Sequence, residues 1–255
     1  MHVLLTNDDG IMAPGLRALY AALVEAGHTV LAVAPLRQQS GVGHSLTVFE
    51  PLRTRAIEEP EFSGTGVHGT PTDCVKLGLG ALAPRRPDLV MAGINLGPNV
   101  GPDIFYSGTV GAAAEGAHDA VPSMAVSHAD HSGRVDLSAH ARHAVALAGR
   151  IDWGRVAPRR VLNLNYPAGE LAAARGLRVC PQSDAVWRNI YERRDDPRGD
   201  PYWWLTGDVP ESSVRPGTDR ALLAQGYVTL TPLRFEYTDD AALEALAAMD
   251  LAARG

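Results

Sequence analysis

His2-Val3-Leu4-Leu5-Thr6-Asn7-Asp8-Asp9-Gly10 opens the chain with an apolar run that stops abruptly at two carboxylates and a glycine. A short, uninterrupted apolar run suits a strand buried on both faces, the usual condition of a strand in a parallel sheet. Leu16, Leu19, Tyr20 and Leu23 then recur at helical spacing between about residues 15 and 25, closed by Gly27, and Thr29 to Ala34 reads as a second strand. The opening is a βαβ unit, and the alternation continues. Thr70-Pro71-Thr72-Asp73 has the form of a helix start, with Thr70 as cap and Pro71 at the first helical position. Leu89 to Ala92, Ser123 to Val126 and Val161 to Leu164 read as strands, and Val110 to His118 and Leu137 to Ala148 as helices. This pattern predicts the α/β class: a Rossmann-like, mostly parallel sheet with helices on both faces, occupying residues 1–175.

Beyond about Gly176 the character changes. Leu177 to Val179, Tyr202 to Leu205 and Tyr227 to Leu230 read as strands separated by loops rich in Asp, Arg, Gly and Pro, with Arg193 to Gly199 as a polar turn. Asp239 to Ala253 reads as a final helix with a Leu243, Leu246, Leu251 stripe. Residues 176–255 are therefore expected to form a hairpin-rich extension, a return strand and a C-terminal helix, used in oligomerisation.

Composition narrows the function. With 255 residues, 45% hydrophobic and 20% charged, the chain can bury an ordinary globular core. A formal charge of −6 argues against a general nucleic-acid binder. The two cysteines, Cys74 and Cys180, follow no metal-ligand spacing and are expected to be reduced and packed. The first residues turn polar too soon for a signal peptide, and no stretch approaches the ~20 apolar residues that span a bilayer, so a cytoplasmic protein is expected.

In a doubly wound sheet, ligands bind beyond the carboxyl ends of the strands. Three clusters stand at such ends. Asp8 and Asp9 repel each other unless a cation sits between them, and hard divalent ions favour such oxygen ligands. Gly93-Ile94-Asn95-Leu96-Gly97-Pro98-Asn99-Val100-Gly101-Pro102-Asp103 alternates glycine with Asn, whose carbonyl can bind a metal and whose amide can donate to a phosphate. Tyr106-Ser107-Gly108-Thr109 precedes a small-residue helix, and the unpaired N–H groups of a helix start suit an anion. Ordinary turns and N-caps use the same residues. A weaker fourth stretch, Arg37 to Ser45, offers the Ser40 hydroxyl. The Gly-x-Gly-x-x-Gly fingerprint, the P-loop Gly-Lys-Ser/Thr, Asp-x-Asp after the first strand and Gly-x-Ser-x-Gly are all absent. A Rossmann oxidoreductase or transferase is thereby disfavoured. His44, His68 and His118 are expected to be solvated or capping, and Trp203 and Trp204 to pack or to meet another subunit.

Taken in order, Thr6-Asn7-Asp8-Asp9-Gly10, Ser40-Gly41, Gly69 to Val75, Gly93-Ile94-Asn95 through Asn99, Tyr106 to Val110, Asp196-Pro197-Arg198-Gly199, Gly217-Thr218-Asp219 and Gly226-Tyr227 through Leu233 resemble the SurE family of metal-dependent nucleotidases. Ala92, Pro98 and Pro102 depart from its pattern without touching a ligand position. The resemblance implies one divalent ion per subunit, Mg²⁺ or Mn²⁺, held by Asp8, Asp9, Ser40 and Asn95. It implies catalysis by Asp8, Asp9 and Asn95, and phosphate held by Asn99, Ser107, Gly108 and Thr109. The implied reaction is hydrolysis of nucleoside 5′- and 3′-monophosphates, sometimes of short polyphosphate, by a homodimer or homotetramer joined through its C-terminal segment. Neither a nucleic acid duplex nor a membrane is an expected partner. A non-catalytic nucleotide- or phosphate-binding regulator is the alternative, and it would bind nucleotide without metal-dependent phosphate release.

Overall fold

The computed structural model describes residues 1–249 and 251. In chain order the elements are β1 (His2–Thr6), α1 (Pro14–Glu25), β2 (Thr29–Pro35), β3 (Arg53–Glu59), β4 (Phe62–His68), α2 (Pro71–Leu77), β5 (Leu89–Leu96), α3 (Gly108–His118), β6 (Ser123–His128), α4 (Ser138–Arg150) and β7 (Arg160–Tyr166). They are followed by β8 (Leu177–Val179), β9 (Arg188–Asp195), β10 (Pro201–Asp208), α5 (Asp219–Ala224), β11 (Val228–Arg234) and α6 (Asp240–Ala247).

Nine strands form one sheet in the order β3-β4-β2-β1-β5-β6-β7-β11-β8. From β4 to β7 every pairing is parallel, while β3 pairs antiparallel with β4 and β11 with β7. The strands alternate faces as period-2 geometry requires. Val3 and Leu5 of β1, Leu89 and Met91 of β5, and Met124 and Val126 of β6 join the core beneath α1 and α4. Leu4, Val90, Ala92 and Ala125 point the other way, into the core beneath α2 and α3. The α/β class with a mostly parallel sheet and helices on both faces is thus the architecture observed. Small residues let α3 lie close to the sheet: a Cβ on Gly116 would stand 2.7 Å from Val90 Cγ2.

The chain winds from β1 outward through β2 to β4, then restarts at β5 and winds the opposite way through β6 to β7. Its direction reverses between β1 and β5, which opens a crevice at their carboxyl ends. At the end of β5 the ladder to β6 slips between Ala92 and Asn95. Such an irregularity re-aims the residues that follow it.

Several elements differ from the sequence reading. β3 and β4 were not expected; β3 is Arg-Thr-Arg-Ala-Ile-Glu-Glu, an edge strand whose charged residues are exposed and give no apolar signal. Arg193, Arg194 and Asp195 belong to β9 rather than to a turn, which is confined to 196–200 and held by Gly199 N–H to Asp196 O (2.9 Å) and Asp196 N–H to Asp200 O (2.9 Å). The last described helix ends at Ala247, short of the expected 253; residues 250 and 252–255 lie outside the described residues. β8 and β11 return to the main sheet, whereas β9 and β10 form a separate two-stranded sheet. No described helix is long and apolar enough to cross a membrane.

Candidate active site

β1 delivers Asn7, Asp8 and Asp9 to the crevice. The turn is fixed by Asn7, whose Oδ1 accepts from Gly10 N–H (3.1 Å) and whose Nδ2 donates to Gly10 O (3.0 Å). Gly10 adopts φ 106°, a left-handed conformation that favours glycine. The chain therefore bends at once, and successive carboxylates serve one site.

Asp8 is buried and faces α3. The Thr109 hydroxyl donates to its Oδ1, and a Cβ on Gly108 would come within 2.8 Å of Asp8 Cβ. Asp9 is half-buried and faces β5 and the β2–β3 loop: Leu96 N–H donates to its Oδ2 (3.3 Å) and Gln38 Nε2 to its Oδ1 (3.3 Å). Burial raises the Asp8 carboxyl to about 6; the Thr109 hydroxyl opposes this, and the charge of Asp9 adds to it. Burial likewise raises Asp9 above the usual carboxylate range. Neither carboxylate forms an ion pair with Lys, Arg or His among the described residues.

The other expected donors gather around this pair. Gln38 Nε2 also donates to Ser40 Oγ (2.9 Å), so a single amide links Ser40 to Asp9. Asn95 stands at the end of β5 with Nδ2 turned to Gly97 O (2.8 Å), leaving its carbonyl oxygen for another partner. Ser107 caps α3: its Oγ accepts from Val110 N–H (3.0 Å). The N–H groups of the first turn precede the helix's own acceptors and face outward.

Asn99 is placed differently. Its Nδ2 donates to Ser127 Oγ (2.8 Å), its backbone N–H to Asn165 Oδ1 (2.8 Å), and its carbonyl accepts from Asn163 Nδ2 (2.8 Å) and Asn165 Nδ2 (3.1 Å). One of the two N–H donors of the Asn99 amide is engaged by Ser127, the second is left for another partner, and no bond links Asn99 to Asp8, Asp9 or α3.

A divalent cation suits this donor set. Two carboxylates without a counter-charge, an amide oxygen and a hydroxyl are hard ligands of the kind Mg²⁺ and Mn²⁺ take. Among the described residues no group of three or more His, Cys, Asp or Glu is assembled, so a softer imidazole or thiolate site is not what the chain offers.

The chain that carries this crevice at the switch point, these paired aspartates after β1 and this capped helix is similar to known proteins. Residues 3–189 match the family model described as Survival protein SurE. The chain belongs to the SurE family. Proteins named 5′-nucleotidase SurE are similar over nearly the whole length: 64% identical in Desulfovibrio desulfuricans (98% of this chain, 99% of the relative), 56% in Nitratidesulfovibrio vulgaris strain DP4 (98% and 100%) and 42% in Lawsonia intracellularis (96% and 98%). The crystal structure of the SurE protein from Aquifex aeolicus is 36% identical and superposes with a TM-score of 0.83, covering 96% of this chain and 98% of that one.

Around the SurE site, sequence reading missed the contacts that hold the loops. Glu115, buried on α3, accepts from Lys76 Nζ (2.7 Å) and meets His44 Nε2 at 2.8 Å, so His44 is a tether as well as solvated. The His44 and Lys76 contacts hold Glu115 down at about 2 against the opposing effect of burial. Asp73 accepts from Thr47 N–H (3.0 Å) and Thr47 Oγ1 (2.6 Å) while closing the α2 capping box with Thr70. Together these clamp the loop that carries Gln38 and Ser40. On the opposite side, buried Asp219 accepts from Gly101 N–H (2.9 Å) and Ser183 N–H (2.8 Å). It ties the Asn99 loop to the C-terminal segment. Asp73 and Asp219 lie in stretches that the sequence marks, but their bonds to Thr47, Gly101 and Ser183, like those of Glu115 to His44 and Lys76, close between residues remote in sequence.

Proposed function

We propose that this chain is a 5′-nucleotidase, a phosphoric monoester hydrolase that converts nucleoside monophosphates to nucleoside and phosphate with a divalent metal ion. The observation that carries the reading is the contact of Asp8 with Thr109. It sets a buried, uncompensated carboxylate pair directly against the N-terminus of α3 at the switch point of the sheet. Cation and phosphate sites are thereby adjacent, as phosphomonoester hydrolysis needs. The names of the similar proteins point the same way.

Asp8, Asp9, Ser40 and Asn95 would hold one Mg²⁺ or Mn²⁺ ion. When bound, such an ion supplies positive charge that polarises phosphoryl oxygens and acidifies water. The chain's own groups do the rest. The Ser107 hydroxyl and the N–H groups at the start of α3 bind the phosphate and stabilise charge on the transferring group. Gly108 lets the phosphate reach the backbone beside Asp8. One of the two carboxylates, Asp8 or Asp9, would accept the single proton that the attacking water gives up. Asn99 holds its loop through Ser127, Asn163 and Asn165, and the second N–H of its amide would donate to the phosphate.

Phosphate held by backbone N–H and hydroxyl groups is read without reference to the ester carbon. The proposal accordingly extends to 3′-monophosphates and short polyphosphate. The assembly is proposed to be a homodimer or homotetramer through the C-terminal segment. The test is phosphate release from a panel of nucleoside monophosphates, with EDTA or with added Mg²⁺ or Mn²⁺, for wild type and Asp8→Asn. Metal-dependent release that collapses in Asp8→Asn is expected; release that persists in EDTA would sink the proposal.

A further inference from the structure

We propose that the cavity between the β9–β10 hairpin and the Pro102–Tyr106 segment is a nucleoside subsite, in which Trp187 and Tyr106 stack on the base and Asn189 reads a purine edge. This rests on the nucleotidase reading and specifies the part of the substrate it leaves open. The cavity measures about 740 Å³ and is lined by Pro102, Asp103, Tyr106, Trp187, Asn189 and Leu205, among others. That volume falls within the ~300–1,000 Å³ of small-ligand sites.

Three observations fix the occupant. First, Tyr106 lines the cavity and immediately precedes Ser107, the cap of α3. Consecutive Cα atoms are ~3.8 Å apart, so the cavity wall begins one residue before the helix start at which the phosphate is proposed to sit. Second, Tyr106 and Trp187 are 69% and 48% exposed, so two aromatic side chains remain open to a planar partner. Third, the Trp187 ring is held before any ligand arrives. Its Nε1 donates to Asp103 Oδ1 (2.9 Å), while Arg220 Nη2 donates to Asp103 Oδ2 (2.5 Å). Both oxygens of Asp103 are engaged, and the Nε1 edge of the indole is anchored, which lowers the ordering that stacking on it costs.

Stacking accepts any base but favours the larger purine surface, and an Asn amide offers the donor and acceptor pair that matches adenine. Asn189 pairs across the hairpin with Gly207, and Tyr191 with Leu205. Residues paired across antiparallel strands share a face, so Asn189 and Leu205 present one face of the hairpin to the cavity. Of the other larger cavities, the one lined by Leu162, Leu230 and Leu233 belongs to β7 and β11, away from α3.

The experiment compares kcat/KM for adenosine 5′-monophosphate with that for ribose 5-phosphate in wild type, Trp187→Ala and Trp187→Phe. Adenosine binding is measured by calorimetry on the same proteins. The ratio of the two kcat/KM values should fall roughly ten- to a hundredfold in Trp187→Ala, mainly through KM, the range base stacking supplies. Trp187→Phe should recover most of it, and adenosine affinity should follow the same order. An unchanged ratio with unchanged adenosine binding overturns the subsite. So does a loss of particle mass in Trp187→Ala from a wild type that binds no adenosine, which would make the cavity a contact between copies of the chain. If wild type hydrolyses neither substrate with Mg²⁺ or Mn²⁺, the nucleotidase reading fails, and adenosine binding alone decides the subsite.

Discussion

At the residue scale the site turns on Asp8. Its carboxyl is raised from the ordinary 3.8 to about 6, chiefly by burial. A carboxyl raised in the folded state holds its proton more tightly there than in the unfolded chain. The stability this contributes is full below 3.8 and is lost as pH rises through about 6. In EDTA, wild type should therefore lose ~1.4 kcal/mol between pH 5 and pH 7.5 that Asp8→Asn does not lose, as read by urea denaturation. Divalent metal competes with that proton, so Mg²⁺ or Mn²⁺ should raise the melting temperature more at pH 7.5 than at pH 5. An equal rise at both would separate Asp8 from the metal. With saturating metal, Asp8→Asn should cost roughly a thousandfold in kcat/KM, several kcal/mol of charge stabilisation. The candidate donors could be named from the sequence because Asp8 and Asp9 follow β1 and Asn95 closes β5, at the strand ends where a doubly wound sheet binds ligands, while Ser40 came from the family resemblance. Their settings could not. Nothing in Asp8-Asp9-Gly10 announces that Thr109 donates to Asp8, or that Gln38 spans Asp9 and Ser40, because the bonds to both aspartates close over distant stretches of chain. Asn99 teaches the converse. Its place in a Gly- and Asn-rich loop suggested a phosphate donor, and the sequence did not show that Ser127, Asn163 and Asn165 also engage its backbone and one N–H of its amide.

At the scale of elements, two close approaches set the site's tolerance. A Cβ on Gly15 would stand 2.0 Å from Ile94 O, and backbone cannot swing aside as a side chain can. Gly15→Ala should push α1 off the end of β5, lowering stability by about 1–3 kcal/mol and activity with it, because Asn95 follows Ile94. A Gly15→Ala protein as stable and as active as wild type would contradict this packing. Glu115 joins α3 to α2 through Lys76 and to the Ser40 loop through His44. The partners are 46% and 37% exposed, so solvent screens part of each pair. Glu115→Ala should cost about 1–2 kcal/mol, and amide exchange should quicken in residues 38–47 more than elsewhere in the chain. The elements that carried a readable signal were those buried on two faces, such as β1 and β5, where an apolar run has one interpretation. β3 and β9 were missed because edge and hairpin strands are stabilised by backbone pairing, while their side chains face water and include charged residues.

At the scale of the whole molecule, the β9–β10 hairpin stands apart from the sheet with nearly every residue exposed. A lone two-stranded hairpin is marginal in water, yet this one carries Ile190, Tyr191, Tyr202, Trp203, Trp204 and Leu205 in the open. Its two faces differ. Asn189, Tyr191, Trp203 and Leu205 share the side that borders the cavity, whereas Ile190, Tyr202 and Trp204 share the other, with Thr206 beside Ile190. Ile190, Tyr202 and Trp204 lie in the open on this face beside Glu192 and Arg194, and a second copy would cover them with the same residues in a self-complementary contact. Light scattering should accordingly give the mass of a dimer or tetramer. Trp204→Glu places a charge on the outer face only, and it should lower that mass while leaving the Trp187 side unaltered in sequence. Because the hairpin closes the cavity through Leu205 and Asn189, loss of its support should also raise KM for adenosine 5′-monophosphate more than for ribose 5-phosphate. A monomeric wild type, or a Trp204→Glu protein of unchanged mass, would assign the hairpin's outer face no role in assembly.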